Sequence, residues 1–427
     1  MRRFAQLIVI IIALVLVFSS CNSKATIPED DGSMLAAHWD MVLQNDTYLI
    51  GDHSAILGLM SEGAPDIPTD VDVKFNLKTH KATPLCTDEL CTHEKGSSCK
   101  FQDVVSYCFL SGNDLFYRVN VHMIVGTYED RDDSGNVTTV PVWDYKQEFV
   151  RYNIFTGEYK VLVSLSATEA EMTGGRFVKY GNRAYYLRYI PLVEKPQSES
   201  DYRLYLCATD LKNGGEERVF EAPAILGESS VLLFGRNGVF FLYDTKTQKM
   251  FSVPISDPAK AELLMDGSGE QTVQGGADGI FMIGSYIYYP VDARNVSQDY
   301  ASLSGFFLYR LNVDTKRYER LSDELVERFN ATDDGLVCIL SASQLPGYGH
   351  ENESLPGSSC SPVVRLSLDG KVREYLGFYN PALLGTPFFS WVAGDELFIW
   401  CTMNTYRFGL STGQVFAVSS TEPIPQA

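Results

Sequence analysis

The chain has 427 residues, with 54 acidic and 35 basic side chains and a formal net charge of −19. A surface that acidic repels phosphate, which argues against nucleic acid as a partner and against attraction to anionic lipid headgroups. Length alone suggests two or three domains, unless a repeat absorbs the whole chain.

The first element is a leader. Arg2 and Arg3 precede an unbroken apolar run from Leu7 to Phe18, followed by Ser19-Ser20-Cys21. A basic start, a short hydrophobic stretch and small residues before a cut describe a secretory signal peptide. Twelve apolar residues are too few to span a bilayer comfortably as a helix. The cysteine directly after the serine pair makes the segment resemble a bacterial lipoprotein signal. That resemblance implies cleavage before Cys21 and acylation of its sulfur, the palmitate-type lipid becoming the membrane anchor. The usual pattern has Leu three residues before the cysteine, where this chain has Phe18. Removing residues 1–20, which hold two arginines and no acids, leaves a charge of −21. The lipid, not electrostatics, must then hold the body at an extracytoplasmic membrane surface. Asn22 to Ser33 is polar, small and acidic, with Pro28 inside it. It reads as a flexible tether with a root-mean-square reach of roughly 20 Å. The expected divisions are 1–20 leader, 21–44 lipidated cysteine and tether, 45–420 folded body and 421–427 tail.

From residue 45 onward a couplet recurs. Its first half is a turn running into an aromatic-rich strand, as in Gly112-Asn113-Asp114-Leu115-Phe116-Tyr117, Gly181-Asn182-Arg183-Ala184-Tyr185-Tyr186 and Gly284-Ser285-Tyr286-Ile287-Tyr288-Tyr289. It returns at Arg236–Phe241, Asp333–Cys338 and Gly394–Ile399. The second half is a strand closed by a tight turn, as in Tyr152-Asn153-Ile154-Phe155-Thr156-Gly157 and Leu311-Asn312-Val313-Asp314-Thr315-Lys316. Thr-Gly, Asn-Gly and Asp-Gly supply the positive φ or side-chain bonds that hairpin turns need. Apolar and polar residues alternate with the two-residue period of half-buried strands. Pairing the halves gives four-stranded units beginning near 45, 105, 174, 230, 279, 326 and 387. A repeat of this length cannot bury its own apolar face, so copies must pack on one another. The expected fold is all-β, a β-propeller of seven four-stranded blades, with six or eight as the neighbouring counts. The aromatic strand followed by Asp/Asn-x-x-Thr-Gly resembles the TolB-like and lipoprotein-receptor-like propellers of Gram-positive-type surface lipoproteins, over roughly residues 45 to 418.

Cys86, Cys91, His93 and Cys99 lie together after the first unit, spaced C-x4-C-x-H-x5-C. Three sulfurs and an imidazole suit a structural tetrahedral zinc, with no open position for catalysis. Disulfide pairing is the rival reading, because an oxidising compartment and eight cysteines besides Cys21 allow it. Both readings staple the link between the first two units and both stay open here. The segment resembles a cysteine–histidine stretch of the same lipoproteins, with Glu89 where a proline often follows the aspartate. Cys207, Cys338 and Cys401 fall in predicted strands, where a thiol acts as a small apolar residue.

Connections between second and third strands are long at 124–148, 190–201, 293–305 and 342–361. They share one face with the links between units, so one face is plain and the other elaborated. Loops on a rigid scaffold are where binding usually resides. On the elaborated face Tyr128, Trp143, Tyr145, Arg294, Tyr300, Tyr348 and His350 are the candidate ligand contacts, since flat rings stack while polar tips specify. Asp130–Val137 has part of the oxygen spacing of a calcium loop, but Pro141 stands where a bidentate Glu is required, and a charged hairpin tip fits better. No nucleophile motif or phosphate-cradling loop occurs. The expected function is a non-enzymatic, lipid-anchored scaffold binding protein or glycan. The alternative is a carbohydrate-active hydrolase or lyase with acids in the funnel.

Overall fold

A computed structural model describes residues 34–36, 41–44, 48–51, 56–57 and most of 72–425; the longest stretches outside the described residues are 1–33, 58–71, 92–100, 194–200 and 342–359. The protein is all-β and propeller-like. After a short strand β1 (Met34–Ala36), the strands follow one another as antiparallel meanders of four. The first holds β2 (Met41–Gln44), β3 (Tyr48–Gly51), β4 (Val73–Asn76) and β5 (Lys81–Pro84). The second holds β6 (Ser106–Ser111), β7 (Asp114–Arg131), β8 (Val137–Asn153) and β9 (Tyr159–Ser166). The third holds β10 (Thr173–Tyr180), β11 (Arg183–Pro191), β12 (Tyr202–Asp210) and β13 (Glu216–Glu221). In the fourth are β14 (Ser230–Arg236), β15 (Val239–Asp244), β16 (Met250–Pro254) and β17 (Glu262–Met265). In the fifth are β18 (Phe281–Ile283), β19 (Tyr286–Asp292), β20 (Phe306–Asn312) and β21 (Arg317–Arg320). The sixth comprises β22 (Val326–Ala331), β23 (Leu336–Leu340), β24 (Ser361–Leu366) and β25 (Arg373–Tyr379), and the last β26 (Phe389–Ala393), β27 (Glu396–Trp400), β28 (Thr405–Gly409) and β29 (Val415–Ala417).

Hydrogen bonding joins these strands into five sheets, not the seven separate ones expected. The third and fourth meanders fuse through one parallel pair, Gly175 with Leu232, and the fifth and sixth through Phe306 with Val326. The first fusion joins two first strands, β10 and β14, and the second joins the opening residue of a third strand, β20, to that of a first strand, β22, so the sheet count falls below the meander count.

Buried clusters lie between consecutive meanders. Phe109, Phe116 and Phe149 of the second pack on Phe177 and Tyr186 of the third, with Phe149 stacked on Phe177 at 4.3 Å. Comparable clusters join the third to the fourth and the fourth to the fifth. The last cluster returns to the start: Leu49, Val73 and Phe75 of the first meander pack on Ala393, Phe398 and Val418. Phe75 and Phe398 meet edge to face at 5.8 Å. The ring therefore closes through side chains, because the first and last meanders are each built from one end of the chain.

Turn chemistry explains the regularity. Asn153 Oδ1 accepts from the N–H groups of Phe155 and Thr156 at 3.1 and 2.9 Å, and Asn312 does the same for Asp314 and Thr315 at 3.1 and 2.8 Å. Asn76 and Asp210 form the same side-chain turn at the ends of their third strands. Gly214 follows Asp210 with φ of +79°, and a Cβ there would meet the Leu162 carbonyl oxygen on the neighbouring meander at 2.6 Å. That glycine is required both by its left-handed backbone and by the close approach. Asp244 forms an equivalent turn that sequence reasoning missed, and it closes β15 onto β16 on the opposite face.

Two expectations change. Residues 124–148 are not a loop: β7 and β8 pair from Asp114–Asn153 to Arg131–Val137 as one long ribbon. Beyond the reach of β6 and β9 it is two-stranded, and Val125 to Asp130 are exposed. Within the expected tether, β1 pairs with β10 and β2 opens the first meander, so strand pairing includes residues 34–36 and 41–44.

Candidate functional site

The strand directions define two faces. Tight turns between first and second strands lie on one; the long connections and the links between meanders lie on the other. On the elaborated face a cleft of about 640 Å³ opens where the fifth, sixth and last meanders meet. Its wall is aromatic: Phe281, Phe306 and Phe329 form edge-to-face contacts at 5.2 and 6.2 Å. Phe388 and Phe389 are each 50% exposed at its rim, and Phe389 stacks on Trp400 at 5.5 Å. Half-exposed rings backed by packed ones offer a rigid stacking surface at little conformational cost.

Two arginines supply polarity. Helix α1 (Ala293–Val296) starts at Asp292, whose carboxylate caps it by accepting from the Arg294 N–H at 2.8 Å. Arg294 returns its guanidinium to the same carboxylate, Nε to Oδ1 at 2.9 Å and Nη2 to Oδ2 at 2.5 Å. Those bonds hold Asp292 below the usual carboxylate range. An acid so held is a poor proton donor. Arg328 Nε donates to the Phe388 carbonyl at 2.8 Å, fixing the rim, and burial pulls its pKa down. Helix α2 (Pro381–Leu384), capped by Asn380, leads the chain into this rim.

Of the residues expected to contact a ligand, Arg294 lines the cleft. Tyr128 lies exposed on the ribbon of the second meander, 53% accessible, and Trp143 and Tyr145 sit on β8 opposite Ile124 and His122. The structure therefore divides these four between two meanders. Tyr300, Tyr348 and His350 lie outside the described residues, as do Cys21, His93 and Cys99. Cys86 and Cys91 are half-buried on the link after β5, where the Cys91 N–H donates to the Asp88 carbonyl at 3.1 Å. Most of the calcium-like segment, 132–136, is also outside the described residues. Cys207 and Cys338 are buried strand thiols, and burial pushes Cys207 up to about 12, which makes it unreactive. The cleft phenylalanines are not among the contacts expected from the sequence. Their signal was Pro387-Phe388-Phe389, two aromatics at the entry to a strand.

A second cavity, about 420 Å³, lies on the plain face at the ring closure. Arg407, 1% exposed, donates from Nη1 to Glu396 and to His80 Nε2, the latter at 2.8 Å, and from Nε to the Val418 carbonyl at 2.6 Å. His80 Nε2 is thus an acceptor; burial and the guanidinium hold its pKa below 6.5. Burial raises Glu396, against the pull of Arg407. This network joins the two ends of the ring.

No protein-family model matches the chain, and no curated protein matches it. Similar solved structures include Sqt1 from Saccharomyces cerevisiae, 9% identical over 91% of this chain and 88% of that one, TM-score 0.43. TolB from Acinetobacter baumannii is 10% identical over 84% of this chain and 66% of its own, TM-score 0.35. Oligogalacturonate lyase from Vibrio parahaemolyticus is 12% identical over 87% and 95%, TM-score 0.40.

Proposed function

We propose that the chain is a lipid-anchored, extracytoplasmic binding scaffold, non-enzymatic, whose aromatic cleft holds a protein segment or glycan. Each four-strand meander is then one blade of a seven-bladed ring, and the lipid on Cys21 provides attachment to the membrane. The cleft supports this reading: exposed Phe388 and Phe389 flank Arg294 and Arg328, while of its two lining acids Asp292 is tied into an arginine fork and Glu327 is half-buried next to Arg328. Such a surface stacks and orients a ligand, and the Arg294 fork keeps Asp292 from serving as one of a pair of free carboxyls. The cysteine–histidine segment serves as a staple, by zinc or disulfide, on the elaborated side of the link between the first two meanders.

The hydrolase or lyase alternative would draw on the raised carboxyl of Glu396. That group lies on the other face and is bound by Arg407, where closing the ring accounts for it. A glycan and peptide array probed with the full chain tests the proposal. Capture that falls when Phe388 and Phe389 are replaced supports it; turnover of an arrayed glycan that survives those changes and stops with Glu396→Gln contradicts it.

A further inference from the structure

The path of β1 orients the molecule. β1 runs antiparallel to β10, with Met34 opposite Tyr180 and Ala36 opposite Val178. Tyr180 is the last residue of β10, next to the Gly181-Asn182 turn, so Met34 stands at the level of the plain face. β1 occupies the edge of β10 away from β11, and that is the edge facing the ring's centre, where β10 also meets β14. The chain thus enters the centre from the plain face and travels toward the elaborated one. Met41 then pairs with Gly51 at the elaborated end of the first meander, and β2 descends again. Both ends of this short path agree on the direction.

The plain face carries charges of both signs. Exposed lysines stand in its turns around the ring: Lys78, Lys212, Lys260, Lys316 and Lys371, from five different meanders. Lys260, Lys316 and Lys371 pair with Asp257, Glu262 and Asp369, whereas Lys78 and Lys212 make no ion pair among the described residues. Asp210, the acid nearest Lys212, is folded into its turn by backbone N–H groups at 3.0 and 2.6 Å. The eight residues of β10 span about 26 Å, well beyond the Debye length of about 8 Å at physiological salt. A bilayer at the plain face is therefore screened from the acids of the far face, and meets these lysines together with Glu158, Asp257, Asp314, Asp334, Asp369 and Asp395 of the same set of turns.

We infer that the plain face is turned toward the membrane, so that the aromatic cleft points outward. This rests on acylation of Cys21. Thirteen steps separate Cys21 from Met34, a span of at most about 45 Å. An anchor emerging at the plain face brings that face down first; reaching from the elaborated side would require the chain to pass around the ring.

The test uses full-length protein in phosphatidylglycerol–phosphatidylcholine vesicles with a headgroup acceptor dye. A genetically encoded fluorescent amino acid is placed at Asn213 on the plain face or at Leu192 on the elaborated face. Energy transfer is expected to be at least threefold greater from position 213. Equal transfer, or greater transfer from 192, overturns the orientation. If the protein stays off the vesicles and carries no lipid by mass, the anchor reading fails instead. The entry direction is then read in detergent from spin-label distances: Ser33 to Asn213 must be shorter than Ser33 to Leu192, and the reverse overturns it.

Discussion

Replacing Arg407 with alanine should open the seam between the first and last meanders. Its guanidinium is 1% exposed and binds Glu396, His80 and the carbonyls of Val418 and Ser420. Breaking a buried pair by removing one partner costs about 3–5 kcal/mol. Glu396 and His80 keep 16% and 19% exposure, so water can rehydrate them and the lower end, about 3 kcal/mol, is the expected cost. A chain of this length need not unfold in one step, which makes a local readout preferable. Hydrogen exchange in β2–β5 and β26–β29 should accelerate roughly a hundredfold, while β14–β17 changes little. Arg365→Ala is the control: its pair with Glu374 is partly exposed at 31% and 57%, and should be worth under about 1 kcal/mol. Converting the pair together, Arg407→Met with Glu396→Leu, should recover most of the loss, since no charge is stranded. Seam exchange within twofold of wild type, or equal acceleration in every meander, would refute this view of the closure.

The remaining predictions concern pH, turns, the cleft and the staple. His80 has a lowered pKa in the fold, so its contribution is complete above the ordinary value of 6.5 and is lost as pH falls through that value. Glu396 has the opposite sign, favouring the fold below its ordinary 4.5 and losing that contribution as pH rises through its raised pKa. Denaturation between pH 5 and 8 should show stability falling with acid in wild type and a shallower fall in His80→Gln. Gly214→Ala should destabilise by about 3 kcal/mol, because a left-handed alanine costs about 1–2 kcal/mol and its Cβ also strikes Leu162. Gly215→Ala meets nothing within 4 Å at φ of +88° and should cost only the backbone part. Phe388→Ala with Phe389→Ala should weaken an array-identified ligand by about tenfold or more while thermal unfolding stays nearly unchanged, both rings being half exposed. Metal analysis with and without reductant should give one zinc per chain, or a Cys91–Cys99 linkage by mass; finding neither would end the staple.

Much of the architecture was legible because its turns carry their own chemistry. Asn153, Asp210 and Asn312 fold backbone N–H groups onto their side chains whatever lies around them, so their spacing exposes the strand rhythm. The Asp244 turn was missed because it joins a second strand to a third, β15 to β16, outside the third-to-fourth-strand position that Asn153, Asp210 and Asn312 share. The ribbon was read as a loop because Gly126, Pro141 and a charged tip mask alternating β-branched residues in β7 and β8. The sheet count depended on single residue pairs between strands of different meanders, Gly175 with Leu232 and Phe306 with Val326, which no local signal encodes. Arg407 could not have been identified: its partner His80 is 327 residues away, and one arginine in a strand looks solvent-facing. Arg294 was identified for its loop. Its real constraint is Asp292, two residues earlier, which turns a free cation into a fixed fork.

The most direct test is a distance across the closure. Thr79, exposed in the first meander, and Thr412, exposed in the last, stand on turns that border the same plain-face cavity through Lys78 and Thr412. Spin labels at these two positions in the full chain should lie within about 20 Å of one another if the ring is closed, given a layer spacing of about 10 Å. An open stack of the same meanders would separate them by on the order of 60 Å, and that result would contradict the account.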